Sequence, residues 1–534
     1  MQGDLVAGGR LLLGLPRALR RSFDLTEAHG ILRRRLETRG AAFLELARRA
    51  VYAVETSPYR ALLARIGCEY GDLERLVQQE GVEGTLGLLC RQGVYLSVDE
   101  FKGRRPIVRG QLRIAADPSR LWNPLARAHV QVKTSGSRGS GASIPIDLAF
   151  VRDHAVNTHL TIATHDGTGW QHAHWGIPGG AALVNLIEFA MGGCPPARWF
   201  SQVDVAAAGL HPRYRWSAEA LRWGGRLAGV SFPRPEHVPL GDALPIARWM
   251  ARTLRAGGVP HLWTYASSAV RVCQAARDAG LELSGAQFTA GGEPTTAARL
   301  AVVRQVGARA WPRYGSTETD IIAYACHRPA APDDMHLLHD RRAVVQAGPE
   351  GGPTIAPSML LFTSLLPTDP LVLLNVSLGD RAVMTARNCG CPMAALGWFT
   401  HLHSVRSDEK LTAGGMTFLD IDVVRVLEET LPARFGGGPT RYQLLETEDA
   451  SGVPRLWLIV DPAVGPLDES EVVQAFLDAL GEGPGAARVM VAQWRQAGLV
   501  GVRRAIPRVT RSGKVLHLHQ EVGAAASARD GAPV

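Results

Sequence analysis

The stretch from Gly291 to Asp320, GGEPTTAARLAVVRQVGARAWPRYGSTETD, constrains the fold most. It reads as a strand end running into a glycine turn at Gly291, Gly292 and Glu293. A helix of Ala, Leu, Val and Arg follows, and a second short strand closes on Tyr314, Gly315, Ser316, Thr317 and Glu318. Pro294 is expected at the first helical position, where its missing N–H costs nothing. Thr295 and Thr296 then fall in the first turn, where a hydroxyl can serve a free backbone donor. Two strand ends that each set glycine beside a carboxylate suit a nucleotide at the carboxyl edge of a sheet. Gly315 would let the backbone approach a flat base or an acyl group, and Glu318 would offer oxygen to Mg²⁺. Two ordinary helix–strand loops would read the same way, so the other segments must discriminate.

At 534 residues the chain exceeds one compact core and should divide into two or three domains. Hydrophobic content of 46% and charged content of 20% place it among globular proteins. The excess of 58 basic over 50 acidic residues, +8, is spread out, with no dense basic block interleaved with aromatics. That argues against a nucleic-acid partner, while a mildly basic surface would attract small anions. Seven cysteines are too few for a disulfide scaffold. The N-terminus, MQGDLVAGGRLLLGLPRALRRSF, has a Leu run cut by Gly and Pro with acid ahead of it, a poor signal peptide. No apolar run reaches the roughly 18 residues that span a bilayer. A soluble cytoplasmic protein with no membrane partner is expected.

Phe23 to Phe101 should be helical, with a break at Ser57-Pro58. A strand-like lead-in at Gln131–Lys133 then enters a loop of Thr134, Ser135, Gly136, Ser137, Arg138, Gly139, Ser140 and Gly141, before strand-like Ile144–Ile146. Such a loop offers backbone N–H groups and hydroxyls to a polyphosphate, although it is no Walker loop and a surface hairpin has the same composition. From Phe150 to Leu283 helical and strand-like runs alternate. His172, His174 and Trp175 precede a Gly-Gly turn and an apolar helix, where they could line an acyl pocket or belong to plain core. Leu373–Asp380 reads as a buried strand ending in Gly379-Asp380, where an acid suits ribose hydroxyls. Cys326, His336, Cys389 and Cys391 have the inventory of a closed zinc site, or are free cysteines near a turn. After Val405–Met416 a new pattern of helix, strand, strand and helix describes a separate small α+β unit. It ends in Pro507–Val515, with Gly513 and Lys514, and the last residues read as a disordered tail.

Taken in order, these pieces resemble the adenylate-forming superfamily of acyl-CoA synthetases and adenylation domains, and most of all its phenylacetate–CoA ligase branch. Thr134–Gly139 matches the phosphate loop. Gly291-Gly292-Glu293-Pro294 and Tyr314–Glu318 match the adenine and magnesium motifs. Gly379-Asp380 matches the ribose acid, Arg406-Ser407-Asp408 the arginine and hinge, and Gly513-Lys514 the catalytic lysine. The resemblance spans about 380 residues in the right order. It departs where the phosphate loop lacks its trailing lysine and carries Arg138, and where Gly414-Gly415 replaces a bulkier residue plus glycine.

The resemblance implies an α/β protein, with a large N-terminal adenylate-forming domain of helix-covered sheets and a small mobile α+β C-terminal domain. The expected bounds are 1–130 for a helical N-terminal region, 131–405 for the nucleotide- and acyl-binding core, 406–520 for the small domain and 521–534 for the tail. It implies an AMP-forming ligase that activates a carboxylic acid with ATP and Mg²⁺ and then transfers the acyl group. CoA is the expected acceptor, with an amine or a carrier protein as the alternative. A non-catalytic nucleotide-binding protein is a further rival. Lys514, Glu318 and Arg406 would be catalytic, with Glu318 on Mg²⁺. Thr134, Ser135, Gly136, Ser137, Gly139, Gly291, Gly292, Glu293, Tyr314, Gly315, Ser316, Thr317 and Asp380 would hold the nucleotide. Asp408 would be the hinge, His172, His174 and Trp175 the acyl pocket, and Cys326, His336, Cys389 and Cys391 the ligands of a structural Zn²⁺. A homodimer is compatible with this reading.

Overall fold

The computed structural model describes residues 2–133, 143–206, 213–349, 351–352, 354–407, 412–413, 416–417, 421–448, 454–482, 491, 494–495, 498–510 and 513–520. The expected phosphate loop at Thr134–Gly139, the hinge at Asp408, Gly414-Gly415 and the tail lie outside the described residues.

The N-terminal region is helical, as its periodicity implied: α1 (Gln2–Leu19), α2 (Leu25–Glu37), α3 (Arg39–Ala47), α4 (Pro58–Arg65) and α5 (Tyr70–Arg91). Asp24 caps α2 by accepting the Glu27 N–H, and Pro58 opens α4 at a position where no N–H is needed. Helix α1 falls within the helical region expected over 1–130, although the helical periodicity read from the sequence begins only at Phe23. Its buried Leu11, Leu15 and Leu19 recur every four residues while Leu13 is exposed, so the Leu run is one face of a helix.

The core of the molecule is a twelve-stranded sheet. Its parallel half comprises β1 (Gln171–Gly176), β2 (Arg198–Ser201), β3 (Pro235–His237), β4 (Pro260–Tyr265), β5 (Gln287–Gly291) and β6 (Arg309–Ser316), in the order β3-β2-β1-β4-β5-β6. Helices α6 (Leu148–Thr164) and α7 (Gly180–Met191) cover one face. Helices α9 (Leu244–Arg255), α10 (Ala266–Asp278) and α11 (Ala297–Gln305) follow on the connections, and α8 (Arg213–Leu227) packs against α1. β1 and β4 are buried almost continuously, on both faces, as strands of a parallel sheet covered by helices are. The antiparallel half is β7 (Asp320–Ala325), β8 (Met335–Leu337), β9 (Arg342–Gln346), β10 (Met359–Ser364), β11 (Val376–Ala386) and β12 (Thr400–Ser407). It lies in the order β9-β10-β11-β12-β8-β7, with β7 antiparallel to β6.

A second sheet, β15-β14-β13-β16, belongs to the C-terminal unit: β13 (Tyr442–Glu448), β14 (Pro454–Val460), β15 (Val500–Arg504) and β16 (Leu518–Gln520). With α12 (Glu469–Gly481) and a helical segment over 421–435 it encloses its own core of Val426, Leu427, Leu444, Leu458, Phe476 and Leu480. The large α/β sheet with a smaller α+β unit is therefore the architecture expected from the sequence.

Two local expectations are corrected. Pro294 does not open α11; that helix starts at Ala297, with Thr296 as N-cap accepting the Arg299 N–H at 3.3 Å. A side-chain acceptor competes better for the N-cap than proline does for the turn ahead of it. The strand through Gly379-Asp380 does not end there but continues to Ala386. Gly379 sits at φ 88°, and pairing with β12 shifts register between Arg381 and Val383, so the Gly-Asp marks an irregularity within the strand.

Candidate active site

The strand order 3-2-1-4-5-6 reverses between β1 and β4, which opens a crevice beyond their carboxyl ends. The segment Gly513–Val515 of the C-terminal unit lies across that edge. Gly513, at φ 79°, packs on Gln202 just after β2; a Cβ there would sit 2.1 Å from Gln202 Oε1. Lys514 Nζ stands 5.4 Å from the centre of the Tyr265 ring at the end of β4. Its side chain also lies on Gly292, where a Cβ would come within 3.0 Å of Lys514 Cε and 3.2 Å of Nζ. Gly292 takes φ 74°, so both its conformation and its missing side chain serve the lysine's approach. The lysine singled out in the sequence thus comes from a different unit to the end of β4 and the turn after β5.

On β6, Tyr314 donates its hydroxyl to Asp380 Oδ2 at 2.7 Å. Burial, and then Asp380 beside it, push the phenol well above its ordinary value, so it stays a donor. The segments expected from the sequence to serve adenine and ribose, 66 residues apart at Tyr314 and Asp380, are joined by this bond. Arg406 on β12 pairs across from Arg381, next to Asp380, and its guanidinium is 3.7 Å from Asp333. Ser316 Oγ caps the following turn by accepting the Glu318 and Thr319 N–H groups. The Glu318 carboxylate is half-buried and accepts no hydrogen bond among the described residues. Carboxylate oxygen of this kind suits Mg²⁺. Gly315 has a different reason from the one its sequence suggested. A Cβ there would lie 2.2 Å from Asp320 O, so the residue is glycine because the β6–β7 hairpin backbones touch.

Glu293 does not extend toward a base; both its oxygens are taken by protein donors. Oε1 accepts Val515 N–H at 2.5 Å and Ser267 Oγ at 2.9 Å, and Oε2 accepts Ser267 N–H at 2.7 Å and Arg299 at 3.0 Å. Arg299 Nε continues to Glu428 Oε1 at 2.8 Å, and His517 Nε2 lies 2.6 Å from the same oxygen. Thr296 donates to the other Glu428 oxygen. This buried chain, Glu293–Arg299–Glu428–His517, clamps the lysine segment onto the large sheet. Burial alone would raise the Glu428 carboxyl; Arg299 and then His517 overcome that and hold it below the ordinary carboxylate range. Sequence reading missed Arg299, Glu428 and His517, because no local spacing marks partners 129 residues apart, as Arg299 and Glu428 are, or 89 apart, as Glu428 and His517 are.

Beneath the lysine, strand alternation sets one row of side chains toward α6 and α7: His172 and His174 of β1, His261, Trp263 and Tyr265 of β4, Thr289 of β5 and Arg313 of β6. His172 stacks on Phe189 of α7 and shares a 2.8 Å contact with His261. Burial lowers His172 and His174 to about 3, so both rings are neutral. Trp175, expected beside them, points to the opposite face, where its indole donates to Val238 O at 2.9 Å. A period of two cannot place residues 174 and 175 on one wall.

Three of the four expected zinc ligands, Cys326, His336 and Cys389, are brought together with His401, their ligand atoms all within 4.8 Å of one another, and Cys391 lies beside them. Cys326 Sγ and Cys389 Sγ are 3.7 Å apart, and His336 Nε2 is 3.6 Å from Cys389 Sγ and 3.2 Å from Cys391 Sγ. Bonds of about 2.3 Å to sulphur and about 2.0 Å to nitrogen imply tetrahedral edges of roughly 3.8 and 3.5 Å. His336 Nδ1 lies 2.6 Å from the Trp398 carbonyl, an arrangement that aims Nε2 at the sulphurs. Burial opposes ionisation of Cys391, yet backbone N–H groups of Ala394, His327 and Met393, with Cys389, hold its thiol below the ordinary value. The donor set suits zinc. His401, missed in the sequence, takes the fourth place in that group, where Cys391 was expected, and its Nδ1 lies 2.8 Å from Asp334. Zn²⁺ here would supply a cross-link between β8 and the loop before β12.

No family model and no curated protein matches the chain. Among solved structures it is similar to 2-hydroxyisobutyryl-CoA ligase in the postadenylation state with 2-HIB-AMP, at 14% identity over 93% of this chain and 92% of that one, TM-score 0.47. An anthranilate CoA ligase with anthranoyl-AMP matches at 14% identity over 73% of this chain and 66% of that one, TM-score 0.41. The amide bond synthetase McbA from Marinactinospora thermotolerans matches at 14% identity over 80% and 75%, TM-score 0.32. Likenesses this distant assign no family.

Proposed function

We propose that the protein is an AMP-forming ligase that activates a carboxylic acid with ATP, releases pyrophosphate and passes the acyl group to an acceptor. One observation carries the reading: Lys514, supplied by a separate unit, rests over Tyr265 and Gly292 at the switch point of the sheet. The chemical difficulty is that a carboxylate must approach a phosphate while both are anionic, so the site has to provide positive charge. Lys514 would bridge the attacking carboxylate and the α-phosphate. The new C–O–P linkage forms as the bond to pyrophosphate breaks. Asp380, oriented by Tyr314, would hold the ribose, and Arg406 would support neighbouring oxygens. Mg²⁺ at Glu318 would supply charge neutralisation to the phosphates. The loop at Thr134–Gly139, outside the described residues, would hold the leaving pyrophosphate.

The acceptor is CoA in this reading, with an amine or a carrier protein as the competing acceptors. The clamp through Glu293 and Glu428 is breakable hydrogen bonding rather than apolar packing, which suits a unit that must leave before the acceptor enters. The test is ATP–pyrophosphate exchange with the full chain over aryl, aliphatic and amino acids, followed by CoA, amines and a carrier protein with the best acid. Acid-dependent exchange is expected. ATP binding without exchange for any acid would support a non-catalytic nucleotide-binding protein instead.

A further inference from the structure

Arg313 is the one guanidinium in the row beneath Lys514. It lies immediately before Tyr314, on the strand beside Gly291, and its Cζ is 4.3 Å from the centre of the Trp263 ring. Its Nε is buried without a partner, and none of its nitrogens donates a hydrogen bond among the described residues. Three more buried polar atoms close to it lack partners: His174 Nδ1, Trp263 Nε1 and Glu188 Oε1. Buried groups left open in this way are uncommon, and several in one place point to a missing polar ligand. Arg313 packs directly on Gly291, where a Cβ would sit 2.6 Å from Arg313 Cγ.

The groups that face Arg313 form no ion pair with it among the described residues. These are Tyr324, Tyr265, Asp320 and Glu188. Asp320 is an anion: against the effect of burial, His154 and Arg341 bring its carboxyl down to about 2. It sits 3.0 Å from His154, accepts the Ile321 N–H at 2.8 Å and forms no ion pair with Arg313 among the described residues. Burial, and then Asp320, push the Glu188 carboxyl well above its ordinary range, which weakens it as an anionic partner for Arg313. A partly buried cation without a direct ion-pair partner is costly, and an incoming carboxylate in contact with it relieves that cost.

We propose that this site takes an acid carrying a second carboxylate, and that Arg313 holds that distal carboxylate while Lys514 serves the reacting one. The proposal rests on the adenylation reading and adds the substrate class. Trp263 and Tyr265 are two residues apart on one face, so the two cations are separated by on the order of 7 Å. That spacing suits a medium-length aliphatic or an aromatic dicarboxylic acid lying along the Trp263–Tyr265 wall. The distal carboxylate stays ionised; only the near one forms the bond to phosphorus.

The test measures ATP–pyrophosphate exchange of the full chain with matched acids, hexanoate against adipate and benzoate against terephthalate. Each diacid is expected to exceed its monoacid in kcat/KM by about 30-fold or more. Arg313→Ala should lower kcat/KM for the diacid by that factor, through KM, and for the monoacid far less; Arg313→Lys should recover part of the loss. Equal use of both acids by the native protein, or an equal loss for both in Arg313→Ala, overturns the proposal and leaves adenylation standing. Exchange with no acid at all overturns adenylation and this proposal together. Should Arg313→Ala fail to fold, calorimetric titration of the native protein with the acyl-sulfamoyl-adenosine analogues of each pair decides. Tighter binding of the diacid analogue is expected, and equal binding overturns the proposal.

Discussion

Tyr314 and Gly315 are neighbours with separate duties, and substituting each should separate nucleotide binding from folding. Tyr314→Phe removes only the donor to Asp380. Losing one hydrogen bond of about 1 kcal/mol should raise the KM for ATP roughly fivefold, with a smaller change in kcat, in a steady-state exchange assay. Gly315→Ala instead places a methyl 2.2 Å from Asp320 O, a backbone atom of the same hairpin that cannot swing aside. Its unfolding midpoint in calorimetry should fall well below that of the native protein, by a loss of roughly 2 kcal/mol or more. At this scale the motifs were legible, because glycine, tyrosine and acid at strand ends are a short local pattern. Their reasons were less so: Gly315 looked like room for a base, and Glu293 like a nucleotide ligand. The close backbone on one and the Val515 amide on the other arrive from elsewhere in the chain.

Between elements, the clamp is the part that sequence could not show. Glu428 sits in the small unit and Arg299 at the start of α11, and only folding sets them 2.8 Å apart. Glu428→Gln keeps the shape but leaves Arg299 with Glu293 alone. Formation of adenylate should slow by roughly tenfold, as a loss of about 1.4 kcal/mol in positioning Lys514, while acyl transfer from preformed adenylate is unchanged. Because the Glu428 carboxyl is held below its ordinary 4.5, its stabilising share is complete above about pH 4.5 and fades as pH falls through the lowered value. Melting curves of native protein and Glu428→Gln should therefore differ at neutral pH and converge in acid. The cysteine cluster makes a second prediction at this scale. Native protein should carry about one zinc per chain by elemental analysis, and Cys389→Ser should lose it together with several degrees of melting temperature. The ligand types were readable from the sequence; His401 was not, since it follows Cys391 by ten residues and only the pairing of β12 with β8 brings it near His336.

For the whole molecule, the order of strands and helices in the parallel half followed from hydrophobic runs punctuated by glycine. The large sheet's reversal at β1 and β4 did not, because strand neighbours are tertiary facts. The periodicity of helix α1 was hidden by Gly and Pro within its run, and β15 and β16 by their brevity and by parallel pairing to distant partners. What unites the account is delivery of one ammonium by the small unit to a cleft built by the large one. The direct measurement follows both half-reactions in Lys514→Ala: acid-dependent ATP–pyrophosphate exchange, and acceptor acylation from chemically supplied adenylate. The account predicts that exchange falls by at least about 100-fold while acylation and the melting temperature stay near native. Exchange at the native rate in this variant would contradict it.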